Sequence, residues 1–125
     1  MEKTRVMLID DEENFLKITK INLERTGKYS VDTASDANGL IDRIRSFKPD
    51  IIMLDLLMPK MSGVDACQAL KKDPEGKKIP VIIISALDTD HDKLRMYEMG
   101  VVDFIAKPVD MDELISKIET ALKIK

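Results

Sequence analysis

The chain has 125 residues, enough for one domain with a real core and too few for two of ordinary size. Twenty Lys and Arg against 23 Asp and Glu leave a net charge of −3, which argues against nucleic-acid binding by the domain itself. One cysteine and one histidine exclude an internal disulfide and a zinc site built from those residues, and no apolar run nears the ~20 residues that span a bilayer.

Short apolar runs alternate with helical periods along the chain. Val6–Ile9 is apolar at consecutive positions, the pattern of a strand buried on both faces of a parallel sheet. The acids Asp10, Asp11, Glu12 and Glu13 follow it. Phe15, Leu16, Ile18, Thr19 and Leu23 mark a first helix that Gly27 stops. Tyr29–Ala34 alternates, with Tyr29, Val31 and Thr33 against Ser30 and Asp32, and reads as an edge strand. Leu40, Ile41, Ile44 and Phe47 mark a second helix, which Pro49 keeps from continuing.

Ile51–Leu54 is a second doubly buried run and leads into Asp55. A third helix is expected from about Gly63 to Lys72, with Val64, Cys67 and Leu70 on its apolar stripe. Asp73-Pro74-Glu75-Gly76 then makes a turn. Pro80–Ile84 is a third buried run, followed by Ser85 and Ala86. A fourth helix lies near residues 90–99 and ends at Gly100. Val101–Ala106 reads as another strand buried on both faces, with Lys107 and Pro108 behind it. Asp110 caps a fifth helix, Asp112 and Glu113 occupy its first turn, and Leu114, Ile115, Ile118, Ala121 and Leu122 form its apolar side.

The alternation is (βα)5, hence the α/β class. Five strands are too few for a closed barrel. The expected architecture is an open doubly wound five-stranded parallel sheet, helices on both faces, with flavodoxin-like order 2-1-3-4-5. Residues 1–125 make a single domain. Absence of a secretory signal and the lone cysteine point to a cytoplasmic protein.

In such sheets ligands bind beyond the carboxyl ends of the strands. Those ends deliver Asp10 and Asp11, Asp55, Ser85 and Lys107 to one edge. Strands 1 and 3 are neighbours ~4.8 Å apart, so Asp10, Asp11 and Asp55 meet. Their repulsion calls for a proton or a cation, and a hard divalent ion with oxygen ligands, Mg²⁺, is the economical answer. Strand 5 lies about 10 Å from strand 3, a gap that a side chain as long as Lys107 crosses. Metal, lysine, hydroxyl and carboxylate together make a place for a phosphoryl group, with Asp55 as nucleophile.

Each of these residues also has a plainer role open to it. The acids after strand 1 suit the start of a helix, Glu12 and Glu13 are first-turn charges, and Glu12 has a further place in the outer shell of a metal. Ser85 suits a helix cap, Phe104 the core, and Cys67 a buried inert position.

Asp10-Asp11, Asp55, Met58-Pro59, Gly63, Ser85-Ala86, Phe104 and Lys107-Pro108 together resemble the receiver domains of two-component response regulators, over nearly the whole chain. The resemblance implies that Asp55 is the phosphoacceptor. It implies that Asp10, Asp11, Asp55 and the backbone carbonyl of Leu57 hold Mg²⁺, with Mn²⁺ as a substitute. Ser85, Ala86 and Lys107 would bind the phosphoryl group, Pro108 would follow a cis peptide bond, and Phe104 would turn inward after phosphorylation. Many relatives of this kind carry Thr at the place of Ser85 and Tyr at the place of Phe104. The implied donor is a sensor histidine kinase or a histidine phosphotransfer protein, and His91 is misplaced for that role. The implied output is a change in the face formed by helix 4, strand 5 and helix 5, read by an effector or by a second copy, with Met96, Tyr97 and Val101 contributing. Leu57 and Leu87 flank the phosphoryl position and would hinder an attacking water.

Two rival readings have specific requirements. A flavodoxin-like electron carrier needs a loop rich in Ser, Thr and Gly after strand 1, where this chain has four acids. An aspartyl phosphohydrolase needs a second carboxylate two residues after its nucleophile, where this chain has Leu57.

Overall fold

Strands buried on both faces must lie at the middle of a covered sheet, and the three most apolar runs do. The computed structural model describes residues 2–56, 63–86 and 90–124. Its elements are β1 (Thr4–Ile9), α1 (Glu13–Arg25), β2 (Tyr29–Ala34), α2 (Leu40–Phe47), β3 (Ile51–Asp55) and α3 (Gly63–Lys72). A short 3₁₀ turn (Gly76–Lys78), β4 (Val81–Ser85), α4 (Asp90–Glu98), β5 (Asp103–Ala106) and α5 (Met111–Ile124) follow. The strands pair in parallel in the order β2-β1-β3-β4-β5. Every residue of β3 and β4 is buried, as are Val6–Ile9 of β1.

Because strand side chains alternate sides, the sheet divides the core in two. Met7, Ile9, Ile52, Leu54 and Ile83 face α2, α3 and α4, where they meet Leu40, Ile44, Ala66, Leu70 and Met96. Val6, Leu8, Ile51, Met53, Ile82 and Ile84 face α1 and α5, where they meet Leu16, Leu23, Leu114 and Ile118. Leu54 is fully buried one residue before Asp55. Leu54→Ala should therefore cost about 2–5 kcal/mol. Urea unfolding checks this: the midpoint falls while the slope stays unchanged.

The last strand differs from its sequence reading. β5 starts at Asp103 rather than Val101, and only Ile105 of its four residues is buried. It is the outer strand beside β4, so among the described residues one of its edges has no ladder partner, and its side chains are half-covered. Val101 is buried ahead of the strand, and Met96 is buried in α4, so neither forms part of an exposed partner face. Tyr97 is exposed there, as is Leu94.

The helix ends follow local chemistry. Gly27 takes φ 78° just past α1, and Lys48 takes φ 55° at the end of α2, before Pro49. The Asp110 carboxylate accepts the Glu113 N–H at 3.1 Å, the N-cap expected for α5. Asp73 does more than start a turn. Its carboxylate accepts the Glu75 and Gly76 N–H groups at 3.0 and 2.8 Å and pairs with Arg45 at 2.8 Å. It thereby ties α2 to the connection between α3 and β4. Leu57, Met58, Pro59, Met61 and Leu87 lie outside the described residues, as does the side chain of His91.

Candidate functional site

Parallel register carries the ends of the strands to one edge. Ile9 pairs with Leu54, Asp55 with Ile84, and Ser85 with Ala106. Asp10 therefore stands beside Asp55, and Lys107 begins just past Ser85, whose carbonyl accepts the Lys107 N–H at 3.0 Å. The Lys107–Pro108 peptide bond is cis.

Asp10, Asp11 and Asp55 each present a carboxylate oxygen within 4.8 Å of the others. Asp10 is fully buried, Asp55 nearly so, and Asp11 is exposed. The Asp10 Oδ1 accepts the Glu12 N–H at 2.9 Å, a short loop that turns the chain into α1. Its Oδ2 is buried with no hydrogen-bond partner among the described residues and lies 2.9 Å from the Lys107 ammonium as an ion pair.

Lys107 reaches farther than the strand spacing asks. Its Nζ lies 3.8 Å from Asp55 Oδ2, 2.9 Å from Asp10 Oδ2 and 2.6 Å from Glu12 Oε1. It crosses β4 and β3 to the end of β1, and it sits closer to Asp10 and Glu12 than to Asp55. Burial works against its charge. The hydrogen bond to Glu12 and the close ion pair with Asp10, with the charge of Asp55, outweigh that and hold its pKa above the ordinary lysine value. The ring of Phe15 lies 5.3 Å from Nζ.

Three carboxylates thus face one ammonium, those of Asp10 and Asp55 buried and that of Glu12 exposed. A buried like-charge cluster with an unsatisfied oxygen and hard oxygen donors fits a small divalent cation, and Mg²⁺ suits that donor set. Asp10, Asp11 and Asp55 are the residues that would hold it.

Ser85 is buried at the end of β4, and Ala86 beyond it is exposed. Phe104 is half-buried and meets the Tyr97 ring edge-on, with centroids 5.0 Å apart at 74°. A cavity of about 160 Å³ lies between Ser85, Phe104, Glu113 and Lys117. Cys67 is buried, and burial pushes its thiol up to about 12, so it is unreactive as expected.

At this edge of the sheet the sequence reading missed two ionic contacts. Glu12 pairs with Lys107, although its place before α1 suggested a helix-end charge. Lys117 pairs with Asp103 at 3.2 Å and donates to the Phe104 carbonyl, joining α5 to β5. The pairs join residues 95 and 14 positions apart, separations that no helix or strand period signals.

The carboxyl edge of this open parallel sheet gathers three acids and a lysine. Residues 6–119 match the response regulator receiver domain, and the chain belongs to that family. It is 32% identical over 119 residues to the alkaline phosphatase synthesis transcriptional regulatory protein PhoP of Bacillus subtilis, covering 95% of this chain and 48% of that one. It is 34% identical over 119 residues to the DNA-binding dual master transcriptional regulator RpaA of Synechocystis, covering 95% and 49%. The chain thus spans about half the length of these curated relatives. A crystal structure of a response regulator from Desulfuromonas acetoxidans superposes with a TM-score of 0.86 at 32% identity, over 96% of this chain and 97% of that one.

Proposed function

We propose that this receiver domain accepts a phosphoryl group on Asp55 from a phosphohistidine of a sensor kinase or a histidine phosphotransfer protein. The observation that carries the reading is the meeting of Asp10, Asp11 and Asp55 within 4.8 Å, with the Lys107 ammonium 3.8 Å from Asp55. A carboxylate oxygen of Asp55 attacks phosphorus, the P–N bond breaks, and the electron pair leaves with the imidazole. Asp10, Asp11, Asp55 and the Leu57 carbonyl are the groups that would hold Mg²⁺ or Mn²⁺, which would neutralise charge on the phosphoryl oxygens. Lys107 takes one phosphoryl oxygen and the Ser85 hydroxyl another, with Ala86 beside them.

Once phosphorylated, Asp55 carries extra negative charge that draws Ser85 and Lys107 toward it. Phe104 then moves toward the cavity beside Ser85, and the α4–β5–α5 face changes shape. An effector domain, a separate protein or a second copy reads that face. Reversing a 1:99 population needs ~5.5 kcal/mol of differential stabilisation from such contacts. The chain's own chemistry is limited to phosphoryl uptake and slow self-dephosphorylation, so it is a switch rather than a turnover enzyme. Among the described residues no helix is long and apolar enough to cross a membrane, and the cytoplasm is the proposed location.

Acetyl phosphate with Mg²⁺ should add one phosphoryl group, read by intact mass. Absence of the adduct at saturating Mg²⁺ overturns the reading. Asp11→Ala should weaken Mg²⁺ binding about 10- to 100-fold, from the ~1.5–3 kcal/mol of a contact with a charged group. Calorimetric titration decides it, and an unchanged isotherm removes Asp11 from the ligand set.

A further inference from the structure

We infer that Glu12 is a positioning residue that tethers Lys107 away from Asp55 until a phosphoryl group arrives. The inference rests on the Asp55 reading above and adds a residue that reading does not use.

An ammonium has three N–H donors and no acceptor. Glu12 Oε1 at 2.6 Å and Asp10 Oδ2 at 2.9 Å lie within reach of the Lys107 donors, whereas Asp55 Oδ2 at 3.8 Å lies beyond a hydrogen bond. The helix does not account for the direction of the Glu12 side chain. Glu12 is the N-cap of α1, yet its side chain makes no capping hydrogen bond. It reaches instead to a lysine 95 positions away. Its main chain is pinned by the bond from its N–H to Asp10 Oδ1 and by the Leu16 N–H donating to its carbonyl at 3.1 Å. Phe15, on the same turn, places its ring beneath the same ammonium.

For Lys107 to bond a phosphoryl oxygen on Asp55, its Nζ must move toward Asp55. Asp10 is fully buried and fixed, whereas the Glu12 side chain is 62% exposed. Glu12 is the partner that yields. In the phosphorylated state its carboxylate competes with the phosphoryl oxygens for one ammonium. Removing that competitor favours the phosphorylated state, by an amount set by an exposed ion pair.

Glu12→Gln keeps the size and the main-chain bonds and removes only the charge. Beryllofluoride with Mg²⁺, a phosphoryl mimic, should bind this variant about two- to fivefold more tightly than wild type. In a Lys107→Ala background the same substitution should change nothing. Equal affinity of Glu12→Gln and wild type overturns the tether. An equal gain in the Lys107→Ala background also overturns it, because Glu12 would then act by its own charge. In metal-free protein the Lys107 side-chain ammonium signal should shift on Glu12→Gln, and an unmoved signal again counts against the tether. Wild type that binds no beryllofluoride sinks the Asp55 reading itself, a result distinct from the others.

Discussion

Asp55→Asn should take up no phosphoryl group from acetyl phosphate, and it should unfold at a higher temperature than wild type in EDTA. The two effects have one cause. Asp55 is nearly buried close to Asp10 and Asp11, and its charge is the nucleophile of the proposed reaction as well as a source of repulsion. The amide has the same shape and no negative charge. Uptake falls below detection by intact mass, and a residual adduct would place the acceptor elsewhere. Relief of repulsion outweighs the lost attraction to Lys107, which keeps two nearer carboxylates. The gain should be about 1 kcal/mol, or roughly 4 °C in a domain of this size. With saturating Mg²⁺ the order reverses, because wild type gains more from the cation. A lower EDTA midpoint for the variant would show that Asp55 is held mainly by attraction.

Lys107→Ala works in the opposite direction. The Lys107 side chain is only 16% exposed, and its Nζ is the cation that faces Asp10, Glu12 and Asp55. Its loss leaves Asp10 buried beside Asp55 without that countercharge, a change that costs about 2–3 kcal/mol once the exposed Glu12 arm is discounted. Thermal unfolding in EDTA checks the loss. Mg²⁺ should then raise the midpoint of this variant more than that of wild type, since the ion replaces a missing charge. The variant should still take a phosphoryl group on Asp55, but NMR signals of Tyr97 and Phe104 should stay where they were. Movement of those signals equal to wild type would detach Lys107 from the conformational change.

Most of the architecture could be read from periodicity, because burial on two faces and burial on one leave different patterns. Ile51–Leu54 and Pro80–Ile84 had to be central, and they are. The third helix was expected over the same residues that form α3. Val101–Ala106 misled because apolar content alone does not say which residues sit in the ladder. Val101 packs in the α4-side core ahead of the strand, and Asp103 opens an outer strand. The meeting of Asp10, Asp11 and Asp55 was legible because strand register is a one-dimensional fact. The Glu12–Lys107 and Lys117–Asp103 pairs were not, since long flexible side chains choose partners in three dimensions. Arg45 and Asp73 escaped for the same reason, although the turn that Asp73 organises was plain from its sequence.

The split of the core by the sheet has a consequence for how such a chain can drift over evolutionary time. The groups on either side meet only through strand backbones, whose spacing is set by hydrogen bonds rather than by side-chain volume. Each half can exchange one apolar residue for another without a matching change across the partition. Surfaces on the α1 and α5 side can thus be retuned independently of those on the α4 side, and the acidic edge between them stays as it was.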